Sequence, residues 1–536
     1  MLMVAVCVAE EQPADVALSN VVESDVVVYG GTSAGVMAAV QVARMGKSVI
    51  LLAPSGRLGG LTASGLGQTD VGKKEVMGGL NAEFYRRIDE HYDNPDNWFC
   101  ETRDEWKEKK SWGHKLLDGM MFKFEPHVAE QLFHDFIAEE ENADVFLSER
   151  LDRSHMAPKD GTVIREIIME SGVCVRGKMY IDCTYEGDLM AAAGVSYTVG
   201  RESNATYNEQ ANGIQLGSHG HQIPKGISAY LEEGDPQSGL LPGVSPQPPG
   251  KTGDGDHRVQ AFCFRLCLTD YPENRMPFPR PEGYNRDDYE LLSRILARGV
   301  HTNLGNSQPM PNRKTDTNNH GGFSSDYIGM NYAWPDGSYE ERDRMYEAHK
   351  NYQMGMWYYL TQDPETPESI RNRYNQWGLP KDEFQQTGGW PHALYVREGR
   401  RMIGRLVMTE HHCKMEVEVD DPIAHGGFNM DSHNCSRYVD ENGHVRNEGD
   451  VQNQSGAYKI SYRAITPKVD ECTNLLVPVS LSASHIAYGS IRMEPVWMSL
   501  AQSAGTAASL AIDAGTSVQD LGYDALKREL QNNGQL

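Results

Sequence analysis
Early in the chain the apolar runs are short, rich in β-branched side chains and closed by clusters of small residues. Asp25–Tyr29 leads into Gly30-Gly31-Thr32-Ser33-Ala34-Gly35, a helical period follows over Val36–Met45, Gly46 stops it, and Ser48–Leu52 is apolar again. This spacing predicts strand, turn, helix and strand, the opening of a nucleotide-binding βαβ unit. Further strands are predicted at Asp144–Leu147, Met179–Cys183, Val259–Leu268 and Asn474–Val479, with a hairpin from Val163–Ile168 and Val173–Val175. Helical periods mark Gly78–Glu90, Phe124–Glu139, Glu340–Leu360, Ile370–Trp377, Tyr395–Cys413 and Asp520–Leu530. Asn94–His114 is polar and reads as a surface insertion. A last long helix starts near Pro495, carries Ser499, Ser503, Ala507 and Ala511 on one narrow face, and ends at Gly515.

The turns add chemistry to this pattern. Phosphates bind bare backbone N–H groups at a helix N-terminus, where small residues leave room. Gly30 and Gly35 fill the outer positions of G-x-G-x-x-G, but Thr32 stands at the middle one, and the motif alone is weak. A second glycine turn, Ser55-Gly56-Arg57-Leu58-Gly59-Gly60-Leu61-Thr62, follows closely. The acid expected to hold a ribose is missing, because Ala53 and Pro54 occupy its place. Ser55 or Arg57 is expected to take over ribose or phosphate contacts, and Arg57 leaves a nicotinamide dinucleotide phosphate reading open. Gly187 and Asp188, after the strand at Met179–Cys183, form a third such element. Gly187 lets the backbone approach a cofactor and Asp188 suits a polyol hydroxyl, with a simple helix cap as the alternative role.

Composition narrows the partners. The 536 residues, 39% hydrophobic, are enough for several domains and a large core. Lys+Arg 50 against Asp+Glu 75 gives a net charge of -25, which repels nucleic acid and anionic membranes. Nine scattered cysteines form no C-x-x-C pair, so no metal site or disulfide framework is expected, and adjacent His411-His412-Cys413 does not change that. Met1–Ala9 is apolar but lacks a basic flank. Residues 1–20 are read as the remnant of an export signal, favouring a periplasmic or exported protein, with a disordered cytosolic tail as the alternative. No stretch is long enough to span a membrane.

YGGTSAGV, GRLGGLTASGLG, DCTYEGDLMAAAGVSYTVGRE, NRKTDTNNHGGFSSDYIG, YVREGRRMIGRLVMTE, NMDSH and SASHIAYGSIRMEPVWMSLAQSAGTAA together resemble the FAD-dependent oxidoreductase family, flavoproteins of glutathione-reductase-like architecture with two dinucleotide-binding motifs and an inserted substrate domain. The resemblance runs from about Asp25 to the C-terminus. It implies an α/β fold: a discontinuous Rossmann-like FAD-binding domain over 21–200 and 470–536, enclosing an α+β substrate or cap domain over 201–469. It implies FAD as cofactor, held by Gly30, Gly31, Thr32, Ser33, Ala34, Gly35, Arg57, Gly59, Gly60, Leu61, Thr62, Gly187 and Asp188. By the same resemblance the C-terminal helix packs back on the N-terminal domain with its start near the flavin, where Arg492 and Glu494 stand.

Substrate chemistry is sought in the insert. Pro- and Gly-rich loops crowd Gly217–Gly255, and Arg265 inside an apolar strand needs a counter-charge or faces an anionic ligand. Asn312–Gly329 concentrates Arg313, Lys314, Asp316, Asn318, Asn319, His320 and Asp326, a set suited to a polyol or sugar acid, or else to a solvated loop. Arg397, Arg401 and Arg405 are expected to share a helical face, solvated, salt-bridged or holding an anion. His433, in Asn429–His433, is the candidate general base, oriented by Asp431 or Asp316, with His320 and His485 as rivals and a structural role as the alternative. The expected function is dehydrogenation of a hydroxyl-bearing, carbohydrate-like small molecule by hydride transfer to flavin N5. The alternatives are a flavin-containing carbohydrate lyase or isomerase without net redox change, and a non-catalytic binding protein. The electron acceptor is not specified by any motif.

Overall fold
The computed structural model describes residues 21–109, 117, 119–217, 220–300 and 308–536. The candidate export segment, 1–20, lies outside these residues.

The nucleotide-binding unit forms where the apolar pattern places it. Strand β1 (Val21–Tyr29), helix α1 (Ser33–Arg44) and strand β2 (Val49–Ala53) follow one another, with β1 and β2 parallel and Val26 opposite Val49. Strands β3 (Ala143–Leu147), β4 (Cys174–Asp182) and β5 (Leu475–Leu476) complete a parallel sheet in the order β5-β4-β1-β2-β3. Ile167–Ile168 adds an antiparallel edge against β4, the expected hairpin. Both faces of the central strands are covered, as a parallel sheet requires, so β2 is buried throughout. Tyr29 and Asp182 lie side by side at the carboxyl ends of β1 and β4. Ligands bind at that edge in sheets of this kind.

Helix α1 begins earlier than the periodicity suggests, inside the small-residue turn. Thr32 is its N-cap, extended at φ -72 and accepting from the Gly35 amide. Its partner is helix α2 (Glu494–Ala514), whose first turn carries Pro495 and which is capped at its end by Gly515 in the left-handed region. Small residues let the two helices touch: a Cβ at Gly505 would meet the Ala38 carbonyl oxygen at 2.8 Å. The first hydrophobic core gathers α1, α2, the helices Gly79–Asp93 and Pro126–Ala138, and residues between Met408 and Ile465 of the expected insert. A second core, from Ile223 to Val445, forms around the helix Tyr339–Thr361 and its Trp357 and Tyr359. No helix among the described residues is long and apolar enough to cross a membrane.

Three expectations are corrected here. Tyr395–Cys413 is not one helix: Arg401–Met402 pairs as a strand with Tyr197–Thr198, and only Glu410–Cys413 is helical. Gly399 packs on the Tyr185 carbonyl, Arg397 and Arg401 leave the backbone toward different buried acids, and exposed Arg405 reaches Gln519 O, so no common face exists. Strand Val259–Leu268 shrinks to Leu266–Thr269, since Phe264 is tied through both its N–H and its C=O to the Gln353 side chain. The polar segment after Asn94 is also not all surface, because Trp106 is buried and donates its indole N–H to Pro309 O at 3.1 Å.

Candidate active site
The nucleotide turn is shaped by close backbone contact. Gly30 is at φ +117 against Cys183 and Thr184, and a Cβ on Gly35 would fall inside the Gly30 carbonyl oxygen. Thr32 explains the missing middle glycine: besides capping α1, its hydroxyl donates to Cys183 O at 2.8 Å and so ties the turn to β4. The amides of Ser33 and Ala34, at the positive end of α1, have no acceptor among the described residues. Gly59 bridges to Thr32, and Leu61 N donates to the Tyr185 hydroxyl at 2.9 Å over Gly60.

Glu494 joins these parts. Its buried carboxyl accepts from Ser33 Oγ, from Thr62 Oγ1 at 3.0 Å and from Tyr185 OH at 2.8 Å, and burial raises its pKa above the usual range. Arg492 Nε and Trp497 Nε1, on either side of it in sequence, are buried donors without a partner. Free helix-terminal amides, a turn without space for side chains and orphaned donors beside it form a set that suits FAD.

Two expected cofactor residues are engaged by protein instead. Arg57 pairs with both oxygens of Glu130 at 2.9 Å and reaches Gln386 at 2.6 Å. Gly187, at φ +67, is the N-cap, and the carboxylate of Asp188 is taken by Arg342 at 2.6 and 3.0 Å and by Arg400 at 2.8 Å. Asp182, the last residue of β4, binds Thr184 and the Met190 amide, and burial pushes it up to about 6.

The second half of the site is a buried charge cluster around Tyr395. His433 Nδ1 lies 2.8 Å from Asp326 Oδ2, and its Nε2 lies 3.4 Å from Asp431 Oδ2. Arg397 pairs with Asp326 at 2.9 Å and lies 4.4 Å over the Tyr395 ring. Arg492 donates to Tyr395 OH at 2.7 Å and to Asp431 at 3.0 Å. Arg265 clasps Asp316 at 2.8 and 2.5 Å, the structural pairing considered for it. Burial alone would raise Asp326 and Asp431, but Arg397 and His433 pull Asp326 below its ordinary value, and His433 and Arg492 do the same to Asp431. Asp326 is therefore an acceptor, and Nδ1 of His433 must donate to it. A proton taken up by the neutral ring enters at Nε2, beside Asp431.

Asp316 does not orient His433, because Arg265 and the Gln68 amide, at 3.0 Å, use both its oxygens. Asp326 holds the ring in its stead. His320 is exposed, 5.8 Å from the His221 ring, which in turn is 6.5 Å from His433. His485 belongs to a separate buried chain, with Nδ1 2.7 Å from Glu398 and Nε2 3.0 Å from Ser432 Oγ. Neither Tyr395, the first residue of YVREGRRMIGRLVMTE, nor His221 was singled out as a site residue, because nothing in their sequence neighbours points to the His433 cluster. Elsewhere Glu125, His127 and Glu383 converge, but the Lys314 ammonium lies among them, 2.7 Å from each glutamate.

Residues 25–530 match the family model described as FAD dependent oxidoreductase. None of the curated proteins compared matches the chain in sequence. Among solved structures it is similar to L-amino acid deaminase from Proteus vulgaris with the deletion of the specific insertion sequence, at 12% identity over 36% of this chain and 62% of that one, TM-score 0.25. It is also similar to 3-ketosteroid-delta4-(5alpha)-dehydrogenase from Rhodococcus jostii RHA1, at 19% identity over 33% and 50%, TM-score 0.21. A third is L-proline dehydrogenase from P.horikoshii, at 13% identity over 34% and 25%, TM-score 0.18. Each match covers less than two thirds of the solved chain, and none bears on the substrate. With its parallel sheet, its glycine turn and a family match over nearly its whole length, the chain belongs to the FAD dependent oxidoreductases, enzymes whose cofactor is FAD.

Proposed function
We propose that the enzyme dehydrogenates a hydroxyl-bearing small molecule that also carries a carboxylate, a sugar acid being the leading class. In this reading residues 21–200 and 470–536 hold FAD, and 201–469 supply the substrate groups. FAD, held at the nucleotide turn, would supply the acceptor for the hydride that leaves the hydroxyl-bearing carbon. The chain's own residues handle the proton: Nε2 of His433 takes it from the hydroxyl, and the imidazolium is stabilised by Asp326 on one side and Asp431 on the other.

The observation that carries this reading is the buried imidazole held between two carboxylates, with Asp431 tied through Arg492 to the start of α2, where Glu494 touches the nucleotide turn. The anionic substrate is supported by Arg397 Nε, a buried donor of the same cluster that lacks an acceptor, whereas Arg265 Nη1 faces Asp70 Oδ2 at 3.6 Å. Anaerobic mixing of the FAD-loaded protein with hydroxy acids and sugar acids tests the reading, with flavin bleaching as the signal. Bleaching by neutral sugars but by no acid would remove the carboxylate from it, and bleaching by none of them would remove the dehydrogenation.

A further inference from the structure
Outside the His433 cluster one buried guanidinium lacks a counter-charge. The described residues include eight buried arginines, and seven of them ion-pair with carboxylates. Arg437 is the eighth. It is 4% exposed, donates from Nε to Asn447 Oδ1 at 3.0 Å and from Nη2 to Gly322 O at 3.1 Å, and has no ion-pair partner among the described residues. Two neutral acceptors leave most of a buried charge uncompensated, and burial accordingly lowers its pKa.

Arg437 lines a cavity of about 310 Å³, the size of a small-molecule pocket. The walls are flat and aromatic. Tyr352 stacks on Tyr327 at 4.0 Å with planes 7° apart and on Tyr289 at 6.3 Å, and Phe323 lies 5.2 Å from the guanidinium. Asp288, also in the lining, offers acceptors to hydroxyl groups. The cavity is separate from the His433 cluster: Phe323, Tyr327 and Ile328 face it, whereas Asp326 between them turns its carboxylate to Arg397 and His433.

We propose that this cavity is a second ligand site, for a sugar-sized ring bearing a carboxylate or a phosphate, its anionic group paired with Arg437 and its ring face on the tyrosines. Guanidinium and oxyanion form strong charge-assisted hydrogen bonds, and the aromatic walls favour a ring over a bare ion. The proposal goes beyond the reaction assigned to His433 and does not depend on it.

Calorimetric titration of the FAD-loaded protein with glucuronate, glucose 6-phosphate and glucose tests it. At least one of the two anions is expected to bind saturably and glucose much more weakly, and the better anion identifies the group. Arg437→Gln should weaken that binding at least about tenfold, the loss of a charge-assisted hydrogen bond. Because Arg437 also supports Gly322, Asn351→Trp provides a second test: it fills the cavity from the exposed side and should abolish binding with Arg437 intact. His433→Gln should leave the affinity unchanged. No binding of either anion, wild-type affinity in Asn351→Trp, or affinity lost in His433→Gln would each overturn the second site.

Discussion
Nδ1 of His433 lies 2.8 Å from Oδ2 of Asp326, a carboxylate 107 positions earlier in the chain. Arg397 holds the other oxygen of Asp326 at 2.9 Å, so the acid is fixed from both sides and the ring has one orientation. Proton uptake is thereby confined to a single ring nitrogen.

His433→Ala is expected to slow anaerobic flavin reduction by at least roughly tenfold, the low end for loss of a general base. Asp326→Asn should keep FAD and substrate binding but slow reduction, because an amide can hold Nδ1 as an acceptor and no longer stabilises the charged ring. Stopped-flow traces across pH separate the two variants. An unchanged rate in His433→Ala would remove His433 from the mechanism.

Asp188 is assigned by its partners to holding Arg342 and Arg400. Asp188→Asn leaves two arginines short of a buried counter-charge and is expected to cost about 3–5 kcal/mol. Denaturation of the FAD-free protein is the deciding measurement. A loss of FAD affinity without a loss of FAD-free stability would return Asp188 to the cofactor.

Gly35→Ala should yield protein without bound flavin, since the new methyl would occupy the place of the Gly30 carbonyl oxygen. The visible absorbance of the purified variant reports this directly. A yellow variant with wild-type flavin content would mean that the turn is looser than described.

His127 gives a prediction about pH. Burial works against its charge, but Glu383 prevails and raises it to about 9. The unfolded chain releases that proton near ~6.5, so the folded protein binds it more tightly. The resulting stability is complete below that value and is lost as pH rises through about 9. The ring is half-exposed, so the effect is modest. His127→Gln should lower the thermal midpoint in mildly acidic buffer and match wild type in strongly alkaline buffer. An equal difference at both ends would remove the linkage.

The two acids beside His433 act in the opposite direction. Asp326 and Asp431 are held below the ordinary carboxylate value, so the stability they supply is present above about pH 4 and falls away as acid titrates them in the folded state. Acid unfolding followed in wild type and Asp431→Asn should show a shallower loss in the variant. Parallel curves would mean that Asp431 does not titrate on unfolding.

Local pattern carried the cofactor half of the molecule. Strand, turn and helix follow from the apolar, β-branched run Asp25–Tyr29 and from Gly30 and Gly35, features set by neighbours in sequence, although β1 begins earlier, at Val21, and α1 at Ser33. The role of Thr32 was not legible, because its acceptor, Cys183 O, comes from the residue that follows β4. The same distance hid Asp326: it stood among several polar residues of one loop, and nothing nearby marks it as the partner of His433. Arg397 and Arg401 have the spacing of a helical face, yet they lie in extended chain, where Asp326 and Glu202, from two other segments, help to decide their directions. Charge pairing over long separations has no period, so periodicity could not reveal it.

Ser33 and Glu494 meet across 461 intervening steps of the chain. Until the last segment is made, the nucleotide turn lacks the carboxyl that bonds it and the helix that covers α1. Closing so large a loop is entropically slow, so a nascent chain emerging from the ribosome has no finished cofactor site for most of its synthesis. Flavin loading is therefore expected to be completed only once the C-terminal helix has docked on α1.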